Sequence, residues 1–293
     1  MNAPRRADHE HRTLTVLATG PRALLQDGGR PGLASIGVGR SGAADRGAWA
    51  LGNRLVANDG GGASVEVLLG GLRVRAERDV LVALTGAPAP ATIDGRPMGH
   101  NTLLPLPAGA ELALGTPDRG LRTYLAVRGG IVVDEVLGSR STDTLSGIGP
   151  PPLEAGATLP VGPSPRAFPL VDVAPVALPS DGPVTLRVVA GPRDDRLADA
   201  GALVATTWTA SDRSDRVGLR LTGEPLRRRD DAELPSEGVV RGAIQLPPGG
   251  EPVLFLADHP LTGGYPVVGV VRDADVDRAA QVRPGQSVRF RLA

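Results

Sequence analysis

From Leu14 onward the chain alternates short aliphatic runs with breakers. LTVLA, VEVLL, LRVRA, DVLVALTG, ELALG and TYLAVRGG each carry β-branched or aliphatic residues bounded by Gly, Pro or Asp. That is the pattern of short strands joined by turns. One segment differs: ADRGAWALGNRLV sets Ala48, Leu51 and Leu55 at helical spacing with Asp45 available as an N-cap, which predicts a helix. Strand signals resume in VTLRVVAG, VGLRLTG, PVLFLAD, YPVVGVV and SVRFRLA, and a short helix is expected near DADVDRAAQ. Between residues 150 and 183, ten of 34 residues are proline. Their missing N–H donors and fixed φ angles argue against a regular element there. The expected organisation is a disordered polar tail over 1–12, a β-rich lobe over 13–149, a proline-rich connector over 150–183 and a second β-rich lobe over 184–293. A faint echo between Ser41–Gly47 and Ser211–Gly218, both strings of Ser, Asp, Arg and Gly, hints at duplication.

Composition sharpens this picture. Gly and Pro number 40 and 28, about twice average usage, and aromatics make up 2%. The core must therefore be aliphatic, and a helical bundle is disfavoured. Basic and acidic residues balance at 32 each, which argues against a nucleic-acid face. No run of about 18 apolar residues spans a membrane. The start, MNAPRRADHEHR, lacks a signal-peptide core, so a cytoplasmic protein is expected. With no cysteine, thiolate catalysis, disulfides and cysteine-ligated metals are excluded. Every one of the 32 basic residues is arginine. A GC-rich coding bias accounts for much of this, yet the chemistry holds whatever its origin. There is no Schiff-base lysine, no P-loop lysine, no Ser–Ser–Lys amidase and no covalently attached biotin on this chain.

The candidate chemistry narrows accordingly. GVGRSG at Gly37–Gly42 fits G-x-G-x-x-G, but GGRPGLASI before it is no buried strand, so a dinucleotide site is rejected. GRSGA around Ser41 lacks the second glycine of a nucleophile elbow. Only His100 and His259 lie in the folded body, which supplies histidine-rich metal sites poorly; a carboxylate-held Mg²⁺ accompanying a nucleotide stays open.

Five polar, glycine-rich strings remain: Gln26–Asp45, Arg128–Asp143, Ser214–Leu221, Ser236–Pro247 and Asp258–Pro266. Any one alone reads as a structural turn with an Asp–Arg clamp. Five such loops on one β scaffold read as an assembled binding site. Arg30, Arg128, Arg140, Arg216 and Arg220 within them are natural readers of carboxylate or phosphate. Arg227–Arg229, beside Asp230 and Asp231, is read as a solvated turn. The catalytic candidates are Asp27, Arg30 and Asp258. The substrate- or nucleotide-binding candidates are Ser41, Asp45, Arg128, Arg140, Ser214, Arg216, Arg220, Gln245, Thr262 and Tyr265. No metal site is assigned.

The ordered strings QDGGRPG, GVGRSGAAD, VEVLLGG, YLAVRGGI, LGSRSTDTLSGIG, SDRVGLRLTG, SEGVVRGAIQLPPGG and LADHPLTGGYP closely resemble the family of the 5-oxoprolinase C subunit. That family is also called allophanate hydrolase subunit 2, or the biotin-dependent carboxyltransferase family. The resemblance implies a mostly β fold with a few short helices, built as two cyclophilin-like β-barrel lobes. It implies a direct partner, the 5-oxoprolinase B subunit, and a third protein, the A subunit, in an ATP-dependent hydrolase that opens 5-oxoproline (pyroglutamate) to glutamate. This chain would be inactive alone, with ATP as cosubstrate of the complex and a groove shared with the B subunit near Asp27, Arg30, Arg216 and Tyr265. Two alternatives come with the family: a carboxyltransferase component related to urea carboxylase that uses biotin carried elsewhere, and a non-enzymatic module antagonising a kinase inhibitor. One departure stands out. The family pattern D-x-Q-T-T-G-G-Y-P reads here Asp258-His259-Pro260-Leu261-Thr262-Gly-Gly-Tyr-Pro, so Pro260 replaces an amide.

Overall fold

A computed structural model describes residues 12–58, 60–230 and 232–293. The expected tail lies outside the described residues except for Arg12, which opens the first strand.

In the first half the strands are β1 (Arg12–Thr19), β2 (Arg22–Gln26), β3 (Ser64–Leu68), β4 (Leu72–Ala76), β5 (Val80–Gly86) and β6 (Ala91–Ile93). They continue as β7 (Arg96–Met98), β8 (Leu103–Leu106), β9 (Glu111–Leu114), β10 (Arg122–Val127) and β11 (Thr158–Val161). They form a six-stranded sheet, β11-β1-β4-β9-β6-β7, and a five-stranded sheet, β2-β3-β10-β5-β8. Their facing sides bury Leu14, Val16, Val67, Val74, Leu84, Leu112 and Leu125 in one core. Strand β4 alternates as its sequence does: Leu72, Val74 and Ala76 are buried while Arg73 and Arg75 are exposed. Strand β10 does not alternate. All six of its residues are buried, because helix α1 (Arg46–Leu55) covers the outer face of that sheet.

The sequence explains how α1 sits there. Asp45 caps it, its carboxylate accepting the Ala48 N–H at 2.9 Å. Gly52 lets the helix approach closely, since a Cβ there would lie 3.1 Å from both Ala126 and Thr85. Thr85 Oγ1 then donates to the Ala48 carbonyl at 2.7 Å.

The second half comprises β12 (Val184–Ala190), α2 (Ala202–Ala205), β13 (Thr207–Ala210), β14 (Gly218–Thr222), β15 (Glu237–Gly238) and β16 (Ala243–Gln245). It ends with β17 (Val253–Phe255), β18 (Thr262–Gly263), β19 (Val267–Val271), α3 (Asp273–Ala279) and β20 (Ser287–Leu292). Seven of these strands close a barrel, β12-β19-β16-β17-β14-β13-β20, in which β20 returns parallel to β12. Trp208, Leu186, Leu219, Leu254 and Phe290 fill it. Arg187 grips Asp275 of α3 with Nε and Nη2, both at 2.9 Å, fixing that helix to the barrel wall. Both expected helices are thus present. Among the described residues the paired strands of the second half close one barrel, while those of the first form two sheets around one core, joined by the isolated bridges Ala63–Ile131 and Ile131–Val161.

The proline-rich stretch differs from expectation. Thr158–Val161 is a regular strand pairing antiparallel with β1, because its backbone donors fall in a window where Pro160 is the only proline. Beyond it the chain is strapped down irregularly: Arg128 donates to the Pro165 and Ala167 carbonyls, and Leu103 N–H to Asp172 O at 2.9 Å.

Candidate functional site

Two loops leaving the five-stranded sheet, 27–45 and 128–149, lock together. The Asp27 carboxylate accepts hydrogen bonds from Ser139 Oγ and Ser141 Oγ, both at 2.6 Å, from Arg140 N at 2.7 Å and from Gly29 N at 2.8 Å. Arg30, only 1% exposed, donates Nη2 to Ser141 O at 2.5 Å and Nε to Val136 O at 3.3 Å. Its Nη1 meets no acceptor among the described residues. Gly29 holds φ +77°, and a Cβ there would stand 2.4 Å from the Arg40 carbonyl. Gly29→Ala is therefore expected to destabilise the chain by about 1–3 kcal/mol. Urea unfolding with an unchanged slope would register it, and an unshifted midpoint would show that the loop relaxes freely.

The centre lies where this loop pair meets the barrel. Ser41, held at φ +53°, donates Oγ to Asp258 Oδ1 at 2.6 Å. Asp258 also accepts Arg216 Nε at 2.8 Å and Nη2 at 3.0 Å, and Thr144 N and Oγ1 at 2.9 and 2.7 Å. Arg216 spans the junction: Nη1 reaches Glu66 Oε1 and Nη2 reaches the Gly42 carbonyl, both at 2.5 Å. Glu66 Oε2 accepts Ala44 N at 3.0 Å and Tyr124 OH at 2.7 Å. The Tyr124 oxygen in turn accepts Asp45 N at 2.9 Å, and Gln281 Nε2 donates to Asp45 Oδ2 at 2.8 Å. The two echoing strings thus touch, Arg216 of one bonding Gly42 of the other.

Electrostatics follow from this geometry. Burial alone would raise the Asp258 carboxyl, but the charge and hydrogen bonds of Arg216, with Ser41 and Thr144, outweigh it and hold its pKa below the ordinary value. Glu66 behaves likewise: burial raises it, and Arg216 and Arg122 bring it lower still. Burial pushes the Arg216 guanidinium down, yet Glu66 and Asp258 together raise it above its ordinary value. Tyr124 is pushed well up, first by burial and then by Glu66 and Asp45. Asp45 rises to about 6, through burial and then the charge of Asp277.

A depressed, saturated carboxylate is a weak base, so Asp258 does not turn Ser41 into a nucleophile. The arrangement can orient and stabilise charge. His259, next in the chain, has Nδ1 at 2.7 Å from the Pro260 carbonyl and stacks on Phe255; burial lowers its pKa, favouring the neutral ring. The Pro260 ring itself offers no side-chain donor or acceptor where the family pattern has an amide.

Of the sequence candidates, the structure brings Ser41, Arg216 and Asp258 into contact and ties Asp45 to them through Tyr124 and Glu66. Asp27 and Arg30 brace the loops beneath. Arg128 is elsewhere, donating to Val56 O at 2.8 Å and to the connector, with its guanidinium over the Phe168 ring. Arg140 pairs with Glu135 at 2.8 Å. Ser214 Oγ accepts the Arg220 N–H at 3.0 Å, which pins a turn, and the Arg220 side chain is exposed on β14. Gln245 is buried and donates to the Tyr265 carbonyl at 3.2 Å, while Thr262 and Tyr265 are exposed. Sequence reasoning missed Glu66, Tyr124, Thr144, Arg122 and Gln281. For Glu66 a signal existed: it is the one charged residue in the aliphatic run VEVLL.

The family model described as carboxyltransferase domain, subdomain A and B, matches residues 36–292. The chain is 37% identical to the C subunit of 5-oxoprolinase from Escherichia coli over 94% of this chain and 90% of that protein. It superposes on the crystal structure of TTHA0988 with a TM-score of 0.88 at 32% identity, covering 96% of this chain and 56% of the other. It also superposes on the K. lactis urea amidolyase with a TM-score of 0.90 at 27% identity, over 96% of this chain but 18% of that one. The chain thus spans just over half of TTHA0988 and under a fifth of the amidolyase, yet nearly all of the bacterial protein. With the match running from the loop beneath Ser41 to the last barrel strand, the chain belongs to the carboxyltransferase-domain family, subdomains A and B.

Proposed function

We propose that the chain is one component of an ATP-dependent 5-oxoprolinase, opening 5-oxoproline to glutamate only together with its partner subunits. The observation that carries this reading is the end-to-end likeness to the C subunit of the E. coli 5-oxoprolinase. The chemistry agrees. A lactam is a poor electrophile, and phosphorylating its oxygen makes a leaving group, a step that asks for positioning and cations and not for a side-chain nucleophile. The arginine at the lobe junction is already neutralised by Glu66 and Asp258. It offers no free cradle for a polyphosphate, which supports assigning ATP to a partner.

A second reading is favoured by the likeness to urea amidolyase: a carboxyltransferase component. With no lysine in the chain, its biotin would be carried on another protein.

Co-expression with the B and A subunits, followed by omission of each, separates the readings. Glutamate and ADP are expected from 5-oxoproline and ATP with all three proteins, and neither when this chain is left out. Undiminished turnover without it would overturn the oxoprolinase assignment. Biotin-dependent decarboxylation by the pair, with no 5-oxoproline turnover, would instead favour the carboxyltransferase.

A further inference from the structure

A cavity of about 540 Å³ opens between α1, α3 and the connector, sharing Asp45 and Gln281 with the junction network but none of Asp27, Arg30, Ser41 or Asp258. Its size suits a small organic molecule. Its walls are aliphatic: Leu51 of α1, Val184 of the barrel, and Val176 and Leu178 of the connector. The two connector residues are 46% and 51% exposed and so leave apolar surface facing the opening. Asp45, Gln281 and Asn101 supply its polar lining. Asn101 is only 7% exposed, and its Oδ1 meets no donor among the described residues, so an N–H or O–H group is wanting there.

Arg54, exposed in the last turn of α1, and Arg278 of α3 complete the lining. Two neighbouring acids of α3 have other partners. Asp277 accepts Arg241 Nη2 at 2.6 Å and the N–H groups of Arg46 and Gly47 at 3.1 and 3.0 Å. Asp275, 3.5 Å from Arg278, is gripped by both arms of Arg187. Arg54 has no ion-pair partner among the described residues and Arg278 only a shared one, so each keeps donors for an anion, and a guanidinium fork suits a carboxylate.

We propose that this cavity binds a small amphipathic carboxylate: an acid group at Arg54 and Arg278, an aliphatic body along Leu51, Val176 and Leu178, and an N–H or O–H donor toward Asn101 and Asp45. The site stands apart from the oxoprolinase reading and survives its failure. The probe is N-acetyl-L-leucine, which carries all three features, titrated calorimetrically into the full chain at neutral pH.

Saturable one-to-one binding is expected. Combining Arg54→Ala with Arg278→Ala should weaken it about tenfold or more, as loss of charge-assisted hydrogen bonds does. N-acetyl-L-leucinamide, which lacks the charge, should bind the native chain more weakly by a similar factor. Leu178→Trp fills the groove from an exposed connector position that the barrel core does not depend on, and it should abolish binding while the melting temperature is kept. No saturable binding by the native chain, equal affinity for the acid and its amide, or unchanged affinity in either variant would overturn the proposal.

Discussion

Arg216→Met is expected to remove about 3–5 kcal/mol of folding stability, the usual cost of deleting one partner of a buried ionic cluster. The guanidinium is 3% exposed, and Glu66 and Asp258 beside it are 4% and 2% exposed. Removing it strands two carboxylates away from water, together with the Gly42 carbonyl that Nη2 satisfies. Arg216→Lys should fall between the two. An ammonium keeps the charge but cannot reach Asp258 with two parallel bonds while also bonding Glu66. Urea unfolding at pH 7 measures both. If Arg216→Met proves too unstable to purify, the same change made with Glu66→Gln and Asp258→Asn tests the cause. Neutralising the stranded acids should restore a folded chain, because the penalty lies in the unpaired charges and not in the lost volume. A loss below about 1 kcal/mol in Arg216→Met would show that water reaches the cluster and that the junction is not held electrostatically.

This dependence also shows where the sequence was legible. Helix α1 and its Asp45 cap follow from spacing alone, and the alternation in LRVRA places β4 with one face out. Ser41, Arg216 and Asp258 stand out as polar residues in glycine-rich strings, and they do converge. Which arginine meets which acid was not legible. Arg216 and Glu66 are 150 residues apart, and the alternation Ser64-Val65-Glu66-Val67 puts Glu66 on the face opposite the core, where nothing local marks it as buried by the other lobe. Arg128 has the same local dress as Arg216, yet its partners are carbonyls, which every residue has. Composition set the arginines up as readers of an outside phosphate. Arg216, buried at the junction, reads the chain's own carboxylates instead, a choice made by the packing of one lobe on the other. Strand β11 was hidden for a related reason: proline count marks a segment as irregular, whereas strand pairing needs only a few residues free of it.

Asp45→Asn is expected to change how stability depends on pH. In the folded chain the Asp45 carboxyl titrates at about 6, against 3.8 for the free group, because burial and then Asp277 disfavour its charge. Between those values the folded chain holds a proton that the unfolded chain has released. Stability therefore falls as pH rises from about 4 to about 6 and is level above, by an amount near 3 kcal/mol. Glu66 and Asp258, whose values are depressed, act the opposite way: their contribution is present above their unfolded values and is lost as pH drops through their folded ones. The raw curve mixes these trends, but the difference between the native chain and Asp45→Asn isolates the first. Asparagine still caps α1 with Oδ1, but its Nδ2 then faces the Gln281 Nε2 donor, an offset that does not vary with pH and is read near pH 4. By pH 7 the balance should have moved by about 3 kcal/mol in favour of the asparagine chain. Urea unfolding of both chains at half-unit steps from pH 4 to 8 reads this directly. A difference that stays constant across that range would mean Asp45 is ionised throughout, its charge solvated from the adjoining cavity.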